Sequence, residues 1–547
     1  MAMTALVAVG CFVGCSDHPA PPSVRGIILI SLDTLSAEHL GLYGYHRDTS
    51  PFLDRLSERA VVFDNAIVQL PGTLPSHMSI FTGLYPSEHD VFPVDSVLSE
   101  EIPTFPELLK AGGYRTAGHT ENGYVSGRYG FSRGFDEWDD ERFPLWYGGD
   151  TFLVRGLRFL ESLAPDERFF LFLHTYAVHD PYNPPKDCQA GFWQGAPPEA
   201  APPPSSETLL AHNQGLITVS PEIADYFRAL YDEEIRCLDG FLERFFADLD
   251  GLGILKDSLV IITADHGEEF LEHGKLGHDQ IYNENLHVPL IMVFPGQEHG
   301  VRVGEVVESI DIMPTILEFA GIVAPEHISG RSLAPLAMGG ESLLDGKAYS
   351  RSFRASGHEE RSLYERQDGE LFHLLSLGRG ADDRKHRGGV GVSSYLNTRI
   401  PPGELVFEAT AFEVPSVLQV FLEGEFFVEV DLDPDQWTRV AVPRGEGAGS
   451  RLLRLSSATC VDLDTPEGLP RRCRSFSVRG IPLRRSELYR TESDTWESVD
   501  LSLDLTDVTA RMLHETESRN HQPLSPATEQ VLERDLEEEL RALGYIQ

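Results

Sequence analysis

GIILISLD, residues 26–33, decides the fold. Gly26 to Leu32 is a continuous apolar run that ends on an aspartate. A half-buried strand alternates polar and apolar residues, whereas an unbroken run reads as a strand buried on both faces, as in a parallel sheet covered by helices. Three further runs share this character: RFFLFLH at 168–174, LVIIT at 259–263 and PLIMVF at 289–294. Helical patterns lie between them. Ser50-Pro51 offers an N-cap and a proline for the first helical position, and Phe52, Leu53, Leu56 and Ala60 follow with helical spacing. Residues 76–82 read as a helix. In residues 221–250, Ile223, Phe227, Leu230, Ile235, Leu238, Phe241 and Phe245 fall on or near one helix face. This alternation predicts an α/β sheet with helices on both faces. Ligands of such sheets bind outside the carboxyl ends of the strands, where Asp33, His174 and Asp265-His266 stand.

Outward from this core the texture changes. Residues 189–206 are rich in proline and alanine and read as a surface loop. Beyond residue 385, short β-rich runs at 405–414, 417–432, 437–443, 451–459 and 475–483 are separated by Gly, Pro and Asp turns, which suggests an antiparallel sandwich. Its QWTRVAVPR run gives it a jelly-roll-like, carbohydrate-binding look. Residues 527–543 read as a charged helix leading to Leu543-Gly544-Tyr545. The expected organisation is a leader and tether at 1–24, a catalytic unit at 25–384, a β-sandwich insert at 385–484, and a return to the catalytic unit at 485–547. A chain of 547 residues is long enough for one large domain with a smaller companion.

The formal net charge is −41. Such a surface repels nucleic acid, so an anionic substrate needs a local cationic site such as a bound metal. MAMTALVAVGCFVG, residues 1–14, is too short to span a bilayer and resembles the apolar part of a secretion leader. Cys15, or alternatively Cys11, is placed like a lipid-attachment cysteine, followed by a tether, SDHPAPPSV. Export to the periplasm or cell surface, with an N-terminal lipid as membrane tether, is the expectation. Cys460 and Cys473 are close enough in sequence for a disulfide in an oxidising compartment, while Cys188 and Cys237 read as single thiols.

The chemistry concentrates in QLPGTLPSHMSIFTGLYP, residues 69–86. Thr73 precedes a helix whose first turn takes Pro75. Free N–H groups at a helix start attract an anion, so a tetrahedral oxyanion group could dock beside Thr73. A threonine hydroxyl becomes a nucleophile only when a base or metal activates it; read from the local sequence alone, Thr73 is a helix cap. Asp33 and the Asp265-His266 of TADHGEEF offer carboxylates and an imidazole suited to a divalent cation.

Taken together these segments resemble the sulfatase family of the alkaline-phosphatase superfamily. Its motif runs Cys or Ser, any residue, Pro, Ser, Arg, then Thr-Gly; this chain has Thr73-Leu74-Pro75-Ser76-His77 and Thr82-Gly83. HDPYNPP at 179–185, HDQIYNENLHVP at 278–289, Asp311-Ile312-Met313-Pro314-Thr315 and the terminal LRALGYI are also similar to the family. The resemblance implies an alkaline-phosphatase/sulfatase-like α/β/α sandwich carrying the β-rich insertion. It implies a divalent metal (Ca, Mn, Mg or Zn) held by Asp33, Thr73, Asp265 and His266, with Thr73 as nucleophile. His179 and His278 are implied as catalytic and substrate-binding residues, and His77 as substrate-binding. His174, Glu268 and His273 are weaker candidates.

The departures bear on the chemistry. The family converts its Cys or Ser to formylglycine; Thr73 is not a substrate for that conversion, and His77 stands where the converting enzyme expects Arg. No formylglycine is expected, and the chain falls with family members that carry an unmodified threonine. Thr34 occupies the place of a second Asp, and AGHTEN at 117–122 replaces a Gly-Lys-x-His segment. The function implied is metal-dependent hydrolysis of sulfate- or phosphate-type esters, with carbohydrate or glycolipid as the substrate carrier. The alternatives are a phosphodiesterase or phosphotransferase acting on envelope lipids or polymers, and a catalytically silent glycan-binding surface protein.

Overall fold

The computed structural model describes residues 23–92, 96–141, 151–278, 280–340 and 346–353, and beyond them the strands and short stretches named below. A nine-stranded sheet forms the centre. Its strands are β1 (Gly26–Leu32), β2 (Val61–Ile67), β3 (Arg115–His119), β4 (Glu137–Asp139), β5 (Phe169–Thr175), β6 (Ser258–Thr263), β7 (His287–Val288), β8 (Leu290–Val293) and β9 (Val301–Glu308). The order is β7-β2-β8-β6-β1-β5-β3-β4, with β9 parallel to β2. The three apolar runs read first, now β1, β5 and β6, are buried at every position. They lie side by side and parallel, β1 between the other two.

Register turns this arrangement into a site. Ser31 pairs with His174 on one side and with Thr263 on the other. Three parallel strands in step end at one level, so Asp33, the Thr175–Tyr176 segment and Asp265 emerge together at the carboxyl edge. The fourth run departs from its expected form. Its first residue, Pro289, has no N–H for a ladder and separates β8 from β7, the two residues before it; both pair antiparallel with β2, β8 also with β6. The sheet is therefore mixed.

Two helices govern the edge. Helix α1 runs from Thr73 to Thr82 and is buried throughout. Helix α2 runs from Pro221 to Gly251, with the Ser220 hydroxyl accepting from the Ile223 N–H at its start. Of its expected apolar face, Phe227, Ile235, Leu238 and Phe245 are buried in the core, and Ile223, Leu230 and Phe241 are half-buried against it. The polar residues of α2 brace the loops after the strands. The Tyr231 hydroxyl donates to the Thr34 carbonyl at 2.7 Å and accepts from the Ser36 N–H at 3.0 Å. Glu233 accepts from the Gly191 and Phe192 N–H groups, both at 2.7 Å. Cys188 and Cys237 form a disulfide that ties the loop after β5 to α2. This corrects the expectation of two single thiols: the apolar periodicity of α2 hid that Cys237 faces the same loop as Glu233.

Outside the central sheet, Lys347–Phe353, Glu359–Gln367, Glu370–Leu377 and Ser486–Arg490 form a four-stranded antiparallel sheet. The β-rich region forms two more antiparallel sheets, of five and four strands, between Lys385 and Arg479. The run at 417–432 is a hairpin of Ser416–Leu422 and Glu425–Leu432. Thr528–Glu529 pairs as a strand with Ser96–Val97, which corrects the start of the expected helix at 527–543; the rest of that segment, the leader with Cys15, and Cys460 lie outside the described residues, so the expected Cys460–Cys473 disulfide does too.

One buried histidine makes acid stability testable. His89 is fully buried between the Ser79 hydroxyl and the Val91 N–H. Burial pushes its imidazole from 6.5 down to about 3. The unfolded chain therefore takes up this proton first. The contribution is complete above pH 6.5 and is lost as pH falls toward 3, at about 1.4 kcal/mol per pH unit. Urea unfolding across that range should show this slope, and His89→Asn should remove it.

Candidate active site

Asp33 is the first residue beyond β1 and is fully buried. Its neighbour Thr34 takes a left-handed conformation, φ 59°, which turns the chain sharply at the sheet edge. The Thr34 N–H donates to Asp265 Oδ1 at 3.2 Å, and its hydroxyl donates to the Val178 carbonyl at 3.0 Å. Thr34 thus ties the ends of β1, β5 and β6 together and brings no charge. Asp265 and His266 follow β6 and are fully buried. Gly267 is required next. A Cβ there would lie 1.9 Å from the Glu284 carbonyl oxygen. We expect Gly267→Ala to displace His266 and lower metal affinity and kcat/KM each by about 10- to 100-fold, as metal titration and steady-state kinetics would show.

Thr73 is the first residue of α1. Gly72 occupies the cap position and no side chain caps the helix, so the Thr73 hydroxyl is not used as a cap. It lies 3.4 Å from His266 Nε2 and hydrogen-bonds Asp33. The helix start faces the edge where negative charge is stabilised by the first N–H groups.

The tautomers can be read from the acceptors. His266 Nδ1 is 3.0 Å from the Gly267 carbonyl and donates to it, so Nε2 presents a lone pair. That nitrogen is 3.3 Å from Asp265 Oδ2 and 3.9 Å from Asp33 Oδ1. Burial pushes the His266 imidazole down to about 3, which keeps it neutral near pH 7. Burial, with the charges of Asp265 and Glu268, raises the Asp33 carboxyl well above its usual range. Burial also pushes Asp265 upward, but the neighbouring histidines and the Thr34 N–H outweigh it and hold it at about 2. Asp33 Oδ1 and Asp265 Oδ2 are buried without a hydrogen-bond partner. Two close carboxylates, each with an oxygen lacking a proton donor, and a neutral imidazole fit a divalent cation. The ligand atoms of Asp33, Asp265 and His266 lie within 4.8 Å of one another.

Asp33, His77 and His174 satisfy the same distance condition, but both His77 nitrogens and His174 Nε2 are hydrogen-bonded. His77 Nδ1 donates to the Thr73 carbonyl at 2.9 Å, and its Nε2 accepts from the Ser31 hydroxyl at 2.8 Å. His77, the expected substrate contact, has no exposed surface and props the first turn of α1 from beneath. His174 Nε2 donates to Asp33 Oδ2 at 3.1 Å and orients that carboxylate.

His179 and His278 come together above this centre, with ring centroids 5.5 Å apart, and His278 lies 4.3 Å from the ring of His266. His179 Nδ1 donates to the Asp180 carbonyl at 2.8 Å. His278 Nδ1 is 3.3 Å from Glu268 Oε1. His273 stacks on Tyr282 at 3.4 Å, its Nε2 3.4 Å from Glu284, and joins a neighbouring buried network. Two supporting residues escaped the sequence reading. Ser31 looked like one more strand residue. Glu121, within AGHTEN, accepts from the Thr175 hydroxyl and the Tyr176 N–H, both at 2.9 Å, and so fixes the end of β5; only the missing family motif marked that segment.

Comparison with known proteins gives the family and the fold. The family described as Sulfatase matches residues 25–322. An ulvan-active sulfatase of Formosa agariphila is 26% identical over 359 residues, covering 58% of this chain and 66% of that protein. Human arylsulfatase K is 26% identical over 332 residues, covering 52% and 61%. The chain spans less than two thirds of the length of these curated relatives. Among solved structures, the phosphonate monoester hydrolase of Agrobacterium radiobacter superposes with a TM-score of 0.58 at 17% identity, covering 90% of this chain and 94% of that one.

Proposed function

The chain belongs to the sulfatase family, and from that premise we propose that it is a metal-dependent hydrolase of sulfate- or phosphorus-type esters in which Thr73 is the nucleophile. The observation that carries this reading is the convergence of the Thr73 hydroxyl, His266 Nε2 and the Asp33 and Asp265 carboxylates at one buried point. Asp33, Asp265, His266 and Thr73 would hold the metal. When bound, it would supply positive charge that acidifies the hydroxyl and offsets the ester's oxygens.

The chain's own groups account for the rest. Thr73 Oγ1 attacks the sulfur or phosphorus and its proton passes to water. The bond to the leaving oxygen breaks with its electron pair on that oxygen, which takes a proton from an imidazole, His278 or His179. Water then attacks the same central atom and returns a proton to that imidazole, and Thr73 leaves and is reprotonated. His77 and Ser31 hold the first turn of α1 while the charge develops. An unmodified threonine cannot release its group by the elimination open to an aldehyde hydrate. Attack by water on the central atom is required, and this favours phosphorus esters.

The substrate is read as an anionic ester on a carbohydrate or glycolipid. A solved structure with a TM-score of 0.59 and 16% identity contains D-glucosamine-2-N,6-O-disulfate as its substrate. Periplasmic or cell-surface location with a lipid tether at Cys15 is part of the proposal, supported by the Cys188–Cys237 disulfide, which suits an oxidising compartment. We assign the two antiparallel sheets of the β-rich region to a separate insert at 385–484.

The test is hydrolysis of nitrophenyl sulfate, nitrophenyl phenylphosphonate and bis-nitrophenyl phosphate across divalent metals, with Thr73→Ala beside the parent chain. Thr73-dependent release from the phosphorus esters supports the reading. Transfer to an added alcohol in place of hydrolysis would move it to a phosphotransferase. Glycan binding without turnover would contradict it.

A further inference from the structure

His179 and His278 stand on loops after different strands, β5 and β6, and one short helix, Ser206–Asn213, is bonded to both loops. At its start the Ser206 hydroxyl donates to Asp180 Oδ1, next to His179. The Tyr182 N–H donates to the Pro204 carbonyl at 3.0 Å, which joins the chain leaving His179 to the chain entering the helix. At its end Asn213 donates to the Leu276 carbonyl at 2.6 Å and accepts the Leu276 N–H at 2.9 Å. Ladder geometry explains this pairing. Glu269–Phe270 and Leu276–Gly277 are antiparallel, with Phe270 opposite Leu276, and the Leu271 N–H donates to the Lys275 carbonyl at 2.7 Å. Hydrogen-bonded and non-bonded pairs alternate in such a ladder, so the N–H and C=O of Leu276 point away from Phe270. Leu276 is buried, and its outward groups need partners that water does not supply. The Asn213 amide presents a donor and an acceptor side by side, as a neighbouring strand would. Leu209, from the buried face of the helix, packs on the next residue: a Cβ on Gly277 would lie 3.7 Å from Leu209 Cδ2. His278 follows directly.

We propose that Asn213 is a positioning residue for the active site: through Leu276 it sets where His278 stands opposite His179, with the helix Ser206–Asn213 as the strut between the two loops. The strut is anchored beside His179 by Asp180, whose carbonyl accepts His179 Nδ1 at 2.8 Å. The two rings are 5.5 Å apart. The inference rests on the hydrolase reading, in which this pair serves the leaving side of the ester. Spacing matters there, because a misplacement of about 1 Å can cost roughly 100-fold in rate. Thr73, Asp265 and His266 are held by other contacts: the start of α1, the Thr34 N–H and the Gly267 carbonyl. Loosening the strut therefore moves His278 and leaves the nucleophile and the metal ligands in place.

The experiment measures kcat and KM on nitrophenyl phenylphosphonate, in the metal-loaded protein, for Asn213→Ala and Asn213→Asp, and for Asn213→Ala combined with His278→Ala or with His179→Ala. Asn213 is half-buried at the end of an eight-residue helix, so neither substitution opens a cavity in the core. Asn213→Ala should lower kcat by at least about 10-fold and change KM by less than about twofold. Asn213→Asp keeps the shape and one acceptor but turns a second oxygen toward the Leu276 carbonyl, and it should lose as much. Added to His278→Ala, Asn213→Ala should cost less than about a further twofold; added to His179→Ala, it should keep its full effect. A general loss of folded protein would lower the rate equally in both backgrounds. Crystal structures of the parent chain and of Asn213→Ala require no turnover. The variant should show the ring separation changed from 5.5 Å with Asp33, Asp265 and His266 unmoved. A full loss on top of His278→Ala, Asn213→Asp as active as the parent, or His278 unmoved in the variant crystal would overturn the inference. The crystallographic arm stands apart from the Thr73→Ala test, so failure of the hydrolase reading and failure of this inference are told apart.

Discussion

Thr73→Ala should fold, bind metal and hydrolyse no phosphorus or sulfate ester at a useful rate: kcat is expected to fall by about 10⁴-fold or more. The variant removes a single hydroxyl and a methyl group at the start of α1, where Gly72 is the helix cap. Helix stability is therefore little affected, and alanine is the best intrinsic helix former. His77 still donates to the residue-73 carbonyl, a backbone group that the substitution leaves in place. Only the covalent step loses its nucleophile. Thr73→Ser, which restores a hydroxyl at the same point, should retain much of the activity. Circular dichroism and metal analysis on both variants, beside their kinetics, separate loss of chemistry from loss of fold.

Chelation is the second large effect. Asp33 and Asp265 are fully buried and close, and each has an oxygen without a donor. Burial keeps the His266 imidazole neutral, at about 3, so that ring brings no positive charge to offset their repulsion. Removing a bound cation with a chelator should abolish hydrolysis. It should also destabilise the fold by the linkage term, about 4 kcal/mol where the metal had been at a thousand times its Kd. Thermal unfolding with and without chelator reads the second effect, and readdition of Ca, Mn, Mg or Zn singly identifies the ion that restores the first. Full activity in a chain shown by elemental analysis to be metal-free would contradict this.

These two predictions rest on different kinds of legibility. The strands that carry the site were readable because β1, β5 and β6 are buried at every position and bear unbroken apolar runs. Their terminal polar residues then had to lie at one edge, since parallel neighbours in register end together. What escaped was set by contacts distant in sequence. The fourth run pairs antiparallel with both of its neighbours, which no local pattern reveals. The Cys188–Cys237 pairing depends on how the loop after β5 crosses α2, 49 residues later. His77 looked like a substrate contact from its motif position. Only the structure shows both its nitrogens taken by Ser31 and the Thr73 carbonyl. Ser31 and Glu121 act entirely through such long-range hydrogen bonds, so residue type alone gave them no mark.

The central claim is that Thr73 itself carries the transferred group. The most direct measurement is rapid acid quench of the metal-loaded protein during turnover of a nitrophenyl ester, followed by mass spectrometry of the peptide that contains Thr73. The account predicts a fraction of that peptide heavier by one acyl group of the acid used, on Thr73, and absent in Thr73→Ala. Turnover that proceeds with the modification on another residue, or Thr73→Ala that turns over as fast as the parent, would contradict it.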